Sequence, residues 1–211
     1  MPTPLSFATS RETPTIYSVP RRSGNGGRNR LLLFSGLHPI RMARSDDEGA
    51  TWSELEPIGD FGGIVAMASL AASDSSGRLT AFFHDDGRFI RAGGERQRKF
   101  WVYQTTSSDA GRRWSQPEVI ATHAAAQLCE PGLVRSPDGS QMALLLRENS
   151  RTRNSFVIFS DDEGKTWSTP RELPAALTGD RHAAVYAPDG RLFISFRDTT
   201  RDSPTKGDWV G

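Results

Sequence analysis

Acidic and basic side chains recur at matched positions of a repeated pattern in this sequence. Glu130 lies nine residues before Gly139, and Arg181 lies nine residues before Gly190. Each glycine follows an aspartate and precedes a short apolar run, which is typical of a tight turn that leads into a β-strand. We therefore expect Glu130 and Arg181 to occupy equivalent places around one site. His182, next to Arg181, is either part of that site or an ordinary hydrogen-bonded side chain.

A second set of charges lies where the apolar runs end. Arg147 and Arg197 end two of these runs, and Asp85 or Asp86 ends an earlier one. Arginine presents a planar fork that binds carboxylates through two bonds, so converging arginines favour an anionic, carboxylate-bearing ligand. A nearby carboxylic acid could protonate a departing glycosidic oxygen. The candidate catalytic residues are Glu130, Asp85 and Asp86, and the candidate substrate-binding residues are Arg147, Arg181, Arg197 and His182.

The same side chains could instead have structural roles. Glu130 and Arg147 could pair with each other as a structural ion pair. Arg197 could equally pair with Asp198 or Asp202, since exposed ion pairs of this kind are common. We favour ligand roles for Glu130 and Arg147 because concave sites in repeat architectures concentrate function.

The elements that would position these residues are marked by a motif that occurs three times, at residues 45–53, 107–115 and 160–168. Its shared skeleton is a serine, an aspartate two residues on, a glycine two further and a tryptophan three beyond that. The aspartate can accept backbone hydrogen bonds within a tight turn, and the glycine supplies a positive φ. The tryptophan offers a large apolar face to a neighbouring layer. We expect Trp52, Trp114 and Trp167 to pack between sheets.

A turn containing glycine also precedes four short apolar runs. The spacings between Gly26, Gly77, Gly139 and Gly190 are 51, 62 and 51 residues. A period near 50 that contains only short strands is typical of propeller blades. In the third unit the pattern predicts four antiparallel strands, at about residues 132–135, 141–146, 155–159 and near 171–173. No segment predicts a helix of convincing length.

Composition excludes several classes of function. The formal charge of +1 gives no case for nucleic-acid binding, and no apolar run approaches the roughly 18 residues of a membrane span. The one cysteine, Cys129, rules out an internal disulfide and a cysteine-based zinc site. Residues 45–49 lack the later acidic ligand of a calcium loop, so we predict neither a metal nor a cofactor. No signal peptide is visible, which leaves the compartment undetermined.

The repeated motif resembles the Asp box of the sialidase and BNR-repeat family, whose members are β-propellers. The resemblance covers about residues 14–211 and implies an all-β fold with four-stranded antiparallel blades. Sialidase propellers have six blades, whereas this sequence accounts for about three and a half. We expect a fragment of a single propeller domain with blades at about residues 14–60, 61–122, 128–175 and 180–211. An Asp box or its substitute would begin near Asp208.

The resemblance also implies roles for individual residues. Sialidases bind a sugar carboxylate with three arginines and use an aspartate as acid and base, with a tyrosine nucleophile assisted by a glutamate. By resemblance, Glu130 in Cys129-Glu130-Pro131 is the base for that tyrosine. Arg147 is then a carboxylate ligand, and Arg181 or Arg197 is the third arginine.

The sequence departs from the family pattern in two places. Ser18 stands where the family's first arginine is expected, and no tyrosine of this chain is a plausible nucleophile. The sequence therefore predicts either of two functions. The first is an exo-α-sialidase-type hydrolase that acts with retention on a carboxylate-bearing terminal sugar. The second is a non-catalytic BNR-repeat protein that binds a carbohydrate or a protein. The expected partner of the candidate site is a sialic-acid-like or other anionic glycan.

Overall fold

The computed structural model describes residues 3–20, 29–73, 77–91, 94 and 96–200, and the backbone of residues 209–210. The turn predicted at Gly26, the alternative ion-pair partner Asp202 and the motif start expected at Asp208 lie outside these residues. The described chain forms four antiparallel sheets, each made of strands that are consecutive along the chain. The prediction of an all-β fold with four-stranded antiparallel sheets is confirmed.

The strands are numbered in chain order. Sheet 1 consists of β1 (Arg11–Val19), β2 (Arg30–Gly36), β3 (Arg41–Ser45) and β4 (Glu56–Pro57). Sheet 2 consists of β5 (Ile64–Ala72), β6 (Leu79–Asp85), β7 (Trp101–Ser107) and β8 (Glu118–Ala121). Sheet 3 consists of β9 (Leu128–Arg135), β10 (Met142–Glu148), β11 (Phe156–Ser160) and β12 (Arg171–Glu172). Sheet 4 consists of β13 (Gly179–Tyr186), β14 (Leu192–Asp198) and β15 (Trp209–Val210).

Helical structure is confined to two short 3-10 segments in the described residues, at Leu5–Thr9 and Ala175–Leu177. Nowhere in the described chain does a helix have the length and apolarity needed to cross a membrane.

Apolar residues between successive sheets form the core. One cluster joins sheets 1 and 2 and contains Phe34, Phe83 and Tyr103. A second joins sheets 2 and 3 and contains Phe82 and Leu144. The first strands of successive sheets also contact each other, β1 with β5, β5 with β9 and β9 with β13. Strands buried on both faces read as continuous apolar runs, which explains the weak alternation in the sequence.

The repeated motif forms the same hydrogen-bonded turn in all three copies. In the third copy Gly164, at φ +78°, donates its N–H to Ser160 Oγ at 2.9 Å. Asp162 Oδ1 accepts the N–H of Thr166 at 2.9 Å and the hydroxyl of Ser160 at 2.9 Å. Hydrogen bonds from the hydroxyl and then the backbone N–H of Thr166, together with the one from Ser160, lower the pKa of Asp162 to about 2. The corresponding bonds to Ser45, Asp47, Ser107 and Asp109 repeat the arrangement.

The motif tryptophans pack one sheet against another in two of the three copies. Trp114 meets Phe34 of sheet 1 edge-on, with ring centroids 5.7 Å apart. Trp167 meets Phe82 of sheet 2 in the same way at 5.6 Å, and its Nε1 donates to Gln104 Oε1 at 3.1 Å. Packing between sheets is therefore confirmed for these two. Trp52 instead packs on Phe7, in the segment before β1.

This packing predicts a large loss of stability when the third tryptophan is truncated. We expect Trp167→Ala to lower the free energy of unfolding by about 3–5 kcal/mol, because an aromatic side chain is removed from a filled interface. Trp167→Phe keeps a ring against Phe82 and loses the hydrogen bond to Gln104, so its loss should be about 1 kcal/mol. Urea denaturation followed by tryptophan fluorescence and circular dichroism measures both. Equal losses for the two variants would show that the ring contact contributes little.

Candidate functional site

Each sheet's first strand contains an irregularity near its beginning. The register between the first two strands shifts between Arg11 and Thr15 in sheet 1, and at the matching place in the other three sheets. Each shift contains a residue with a positive φ, namely Glu12 (65°), Val65 (54°), Glu130 (48°) and Arg181 (52°), and sheet 2 has a second, Met67 (45°). Positive φ is uncommon outside glycine and often marks functional positions. The predicted equivalence of Glu130 and Arg181 therefore extends to all four sheets.

Glu130 lies within β9, although the sequence predicted it just ahead of the first strand of that sheet. The strand begins at Leu128 and continues through the irregularity because neighbouring elements hold it there. Ser69 of sheet 2 donates its hydroxyl to Pro131 O at 2.8 Å. On the other side, a Cβ at Gly132 would lie 2.1 Å from the backbone oxygen of His182, so only glycine allows this approach of β9 to β13.

In each sheet the second strand ends opposite the irregularity of the first strand. The pairing of these two strands shows that one of the predicted equivalences is wrong. The residues in matching positions are His84 (opposite Ile64), Arg147 (opposite Cys129) and Arg197 (opposite Asp180). The sequence analysis instead grouped Asp85 or Asp86 with the two arginines. Asp85 and Asp86 lie one and two residues after His84, which is the matching position. The displacement arises because the length of a strand cannot be read from an apolar run alone.

Asp85 belongs to a different repeated position, at which a carboxylate holds the loop that follows the second strand. Its Oδ2 accepts backbone N–H groups from Gly87 (2.9 Å), Phe89 (3.2 Å) and Ile90 (3.0 Å), and the residue is 0% exposed. In sheet 3, Glu148 likewise accepts backbone N–H groups from the loop after β10. Within the described residues, no hydrogen bond joins Asp85 to Glu130.

Asp86 lies in the same loop and keeps more contact with solvent. Its Oδ1 is 3.0 Å from Arg88 Nε, and its side chain is 20% exposed. Like Asp85, it makes no hydrogen bond with Glu130 in the part of the chain that the structure describes. The structure therefore does not bring the two predicted acids into contact with the predicted base.

Glu130, Arg147 and Asp180 are brought together between sheets 3 and 4. Arg147 Nη1 donates to Glu130 Oε1 at 2.8 Å, and Arg147 Nε lies 3.0 Å from Asp180 Oδ1. The other oxygen of Glu130 accepts the backbone N–H of Arg181 at 3.2 Å. The Asp180 side chain is only 2% exposed, and the Glu130 side chain is 9% exposed. Arg147 thus links carboxylates from two sheets.

Two further arginines share the Asp180 carboxylate. Arg151, in the loop after β10, places Nη2 2.9 Å from Asp180 Oδ2. Arg197 reaches the same oxygen with Nε at 3.1 Å and with Nη2. We call Glu130, Arg147, Arg151, Asp180 and Arg197 the arginine–carboxylate cluster. Arg151 was not among the site residues predicted from the sequence. Its position four residues after Arg147 is the one feature that could have suggested a role in the site.

His84 supports the cluster from sheet 2. Its Nδ1 accepts the backbone N–H of Glu130 at 3.2 Å, so the ring must carry its proton on Nε2. Burial, together with the charges of Arg147, Arg88 and Arg181, lowers the pKa of His84 to about 3. The neutral imidazole therefore holds the backbone of Glu130 over the whole range in which proteins are usually studied.

Arg181 and His182 lie next to the cluster in different ways. The side chain of Arg181 is exposed, and its guanidinium has no carboxylate partner among the described residues. His182 is 5% exposed; its ring stacks on Phe196 at 5.2 Å and its Nε2 lies 2.9 Å from Leu177 O. Burial lowers the pKa of His182, which favours the neutral ring. The structure thus leaves Arg181 open to a ligand and gives His182 internal partners.

The electrostatics of the cluster favour charged carboxylates and a surplus of positive charge. Burial opposes ionisation of Asp180, but bonds from Arg151 and Arg197 and the charge of Arg147 outweigh it and lower the pKa of Asp180. Burial also disfavours the charged form of Arg147, whereas the negative charge of Glu130 and Asp180 raises its pKa overall. Three arginines against two carboxylates leave +1, and Arg181 brings the sum to +2.

None of the three tyrosines lies at the cluster. Tyr17 donates its hydroxyl to Met67 O at 2.7 Å, and burial raises its pKa to about 12. Tyr103 is 2% exposed and stacks on Phe83, and burial raises its pKa to about 12 as well. Tyr186 lies at the far end of β13 from Asp180 and is half-buried. Across the described ranges, no three His, Cys, Asp or Glu side chains are grouped to hold a metal ion.

Known proteins share this architecture. The chain matches the BNR repeat-like domain over residues 28–203. It is 29% identical over 188 residues to a sialidase from Paraclostridium sordellii, in an alignment that covers 75% of this chain and 44% of that protein. The structure of the Hadza microbial sialidase Hz136 matches with a TM-score of 0.59 and 18% identity, over 86% of this chain and 43% of that chain.

The structure of an enzyme with a different activity is also similar. A mutant of the alpha-L-arabinofuranosidase arb93a from Fusarium graminearum, in complex with an iminosugar inhibitor, matches with a TM-score of 0.52 and 13% identity. That match covers 95% of this chain and 76% of the other. Likeness at this level of identity shows the fold alone, and one fold can support different chemistries.

The fold and the comparisons define an all-β protein of four-stranded antiparallel sheets with sialidase-like neighbours. The chain belongs to the BNR repeat-like family, which confirms the sialidase and BNR-repeat resemblance of its sequence. It spans less than half the length of the Paraclostridium sialidase that it matches.

The geometry of the cluster predicts a pH-dependent contribution of Asp180 to stability. We expect Asp180→Asn to lower the free energy of unfolding by about 3–5 kcal/mol at neutral pH, because three guanidinium groups lose a buried partner. The folded-state pKa of Asp180 lies below its ordinary value of 3.8, so this contribution is present above about pH 4 and is lost as the pH falls through the folded-state pKa. The difference between wild type and variant should therefore shrink in acid.

Urea denaturation at a series of pH values measures this difference, with Asp189→Asn as the matched control. Asp189 is exposed, and among the described residues its one ion-pair partner is the exposed Arg191, so its loss should change stability far less than the loss of Asp180. A difference for Asp180→Asn that stays constant from neutral pH into acid would show that its carboxylate is not held ionised by the arginines.

Proposed function

We propose that the arginine–carboxylate cluster and Arg181 bind the carboxylate of a terminal acidic sugar. The observation that carries this proposal is the net charge of +2 of the cluster and Arg181 taken together, with Arg181 exposed and the Arg197 side chain 45% exposed. Guanidinium groups bind planar carboxylates through paired hydrogen bonds, and partial burial strengthens those bonds. A sialic-acid-like sugar carries a carboxylate of this kind.

We further propose that the sheets are blades of a sialidase-like propeller. Four sheets with the same strand order, contact between their first strands and the same irregularity at the start of each first strand support this arrangement. On this proposal, blades of about 14–60, 61–122, 128–175 and 180–211 surround a common axis. The expected number of six blades in the whole ring comes from the family resemblance.

The proposed activity of the whole protein is exo-α-sialidase-type hydrolysis with retention. Glu130 would serve as the base for a tyrosine nucleophile, and its carboxylate is held in place because one oxygen accepts from Arg147 and the other accepts a backbone N–H. Asp86 is the candidate acid compatible with this proposal, because Asp85 is fully buried. The similarity to the Paraclostridium sialidase supports the reaction class.

A second function is favoured by the position of the tyrosines. Tyr17 and Tyr103 are buried away from Glu130 with raised pKa values, and Tyr186 lies at the opposite end of its strand. A non-catalytic BNR-repeat protein would use the cluster to bind a carbohydrate or a protein without turnover. Both functions predict carboxylate-dependent binding, and hydrolysis separates them.

The test begins with binding of N-acetylneuraminic acid and its methyl ester to the 211-residue chain, measured by calorimetry. We expect the acid to bind more tightly than the ester, and Arg181→Ala to weaken binding of the acid about tenfold or more, because a charged donor is lost. Arg181 suits this test because none of the described side chains depends on its guanidinium for an ion pair. Arg112→Ala, an exposed arginine of the second motif loop, is the control and should bind as wild type does.

Glu130→Gln separates binding from chemistry. Removing one of the carboxylates that compete for Arg147 should leave binding of the acid unchanged or make it tighter. If Glu130 acts in hydrolysis, turnover of a fluorogenic sialoside by the whole protein should fall by at least about a hundredfold in the same variant. Binding without turnover in the wild-type whole protein would support the non-catalytic function. Equal affinity for the acid and the ester would contradict the proposed site.

A further inference from the structure

In two of the sheets, the residue at the start of the second strand is bonded to a carboxylate of the repeated motif. In sheet 1 this residue is Arg30, whose Nε and Nη2 donate to the carboxylate of Asp46 at 2.7 and 3.1 Å. In sheet 3 it is Gln141, whose Nε2 donates to Asp161 Oδ1 at 2.8 Å. Asp46 and Asp161 are each the second residue of their copy of the motif. The repeat therefore provides a carboxylate at the same position in both sheets.

Sheet 2 keeps a cation at this position but has no carboxylate in its motif to match. Arg78 immediately precedes Leu79, which pairs with the motif serine Ser107, just as the following residue pairs with the motif serine in sheets 1 and 3. The second residue of this copy of the motif is Ser108. A neutral hydroxyl thus replaces the carboxylate that the other two sheets provide.

A pocket of about 240 Å³ lies between Arg78 of sheet 2 and the motif turn of sheet 3. The charged residues that line it are Arg78, Arg135, Glu163 and Lys165. These described residues carry three positive charges and one negative charge. Arg78 precedes β6 and Arg135 ends β9, whereas the arginine–carboxylate cluster lies at the opposite ends of the strands. The pocket is therefore separate from the site of the proposed function.

The equivalent junction between sheets 1 and 2 is closed by protein groups. There Arg30, which Asp46 holds, also donates Nη1 to the backbone oxygen of Ala110 in the second motif turn at 3.0 Å. The Arg30 side chain is only 6% exposed. Glu163 occupies the place of Ala110 in the third motif turn. The two junctions thus have the same plan, and the open one is the one whose motif lacks the carboxylate.

The carboxylate that does line the pocket is engaged by one of its three cations. Glu163 accepts from both Nη1 and Nη2 of Arg135, the second at 3.1 Å. The bonds from Arg135 above all, with a bond from Ser73 and the charge of Arg78, lower the pKa of Glu163 against the effect of burial. Glu163 is therefore ionised at neutral pH and offsets one cation. Lys165 is exposed and has no carboxylate partner in the part of the chain that the structure describes, so a surplus of positive charge remains.

We propose that this pocket binds a phosphate or sulfate group. Arginine and lysine are well suited to such oxyanions, the first through its planar fork and the second as a point charge. The cations come from the start of β6, the end of β9 and the third motif turn, so donors reach the pocket from three elements. The oxyanion would stand beside Arg78 as Asp46 stands beside Arg30. This proposal is independent of the proposed function, because the pocket shares no residue with the cluster.

The probe is inorganic phosphate, titrated into the 211-residue chain at constant ionic strength and followed by ¹⁵N chemical shifts. We expect saturable shifts at residues 77–80, 135 and 163–166. Ser108→Asp should weaken the affinity at least about tenfold, because an internal carboxylate then competes for Arg78. This variant should fold, since Ser108 is exposed and two other copies of the motif carry aspartate there. Ala50→Asp, the matched control, adds the same charge to the first motif turn and should bind phosphate as wild type does.

Two further variants locate the binding. Lys165→Ala removes an exposed cation of the pocket and should weaken phosphate binding about threefold. Arg112→Ala removes the residue at the equivalent place of the second motif turn and should leave binding unchanged. Arg181→Ala should also leave these shifts unchanged, whereas it weakens binding of N-acetylneuraminic acid. Failure of this proposal is thereby distinguished from failure of the proposed function.

A titration with glycerol 3-phosphate distinguishes a free ion from the end of a larger molecule. Tighter binding of the ester at the pocket would assign a phosphate ester, and tighter binding of inorganic phosphate would assign the ion; both results support the site. The proposal is wrong if phosphate gives no saturable shifts at the pocket. It is also wrong if Ser108→Asp and Lys165→Ala both bind phosphate with the wild-type affinity.

Discussion

Arg147 is held between two carboxylates that come from different sheets, and this interaction determines much of the surrounding structure. Glu130 in β9 and Asp180 in β13 are nearly excluded from solvent, and neither could remain charged there without a cation. The guanidinium extends from β10 into the gap between β9 and β13, where it donates a hydrogen bond to Glu130 and forms an ion pair with Asp180. Sheets 3 and 4 are thus joined at this end by charge, whereas the tryptophans of the motif turns pack sheet 2 against sheet 1 and sheet 3 against sheet 2.

The repeat explains how such a site can be built from ordinary strands. A register shift in each first strand brings at least one residue into the positive-φ region, and the end of the second strand lies beside it. The architecture therefore offers the same pair of positions in every sheet, while the residue types there differ. Sheet 2 supplies His84, which supports the backbone, whereas sheets 3 and 4 supply Arg147 and Arg197. The chemistry of each sheet's end therefore depends on which residue type occupies a position that all the sheets share.

Much of the fold could be predicted from the sequence because the signals were local and repeated. The serine, aspartate and glycine of the motif bond within nine residues, so their spacing alone indicates the turn. The site was harder to predict. Glu130 and Arg147 were identified from matched distances, but the register shift moved Asp85 out of the group, and His84 and Arg151 gave no local signal. The register between paired strands determines whether an aspartate side chain lies at a binding site or holds a loop. This register cannot be read from a single sequence.

Arginines that are already paired with protein carboxylates can still favour an anionic ligand. The cluster fixes the guanidinium groups of Arg147 and Arg197 before a ligand arrives, so less side-chain entropy is lost on binding. The carboxylates of Glu130 and Asp180 do not cancel this field, since a surplus of positive charge remains and Arg181 is exposed. An incoming carboxylate then binds to arginines that are already held in place by their protein partners. Bringing four unpaired arginines together would cost more free energy. Pairing inside the protein and recognition of an acidic ligand are therefore compatible, and the former supplies the rigidity that the latter needs.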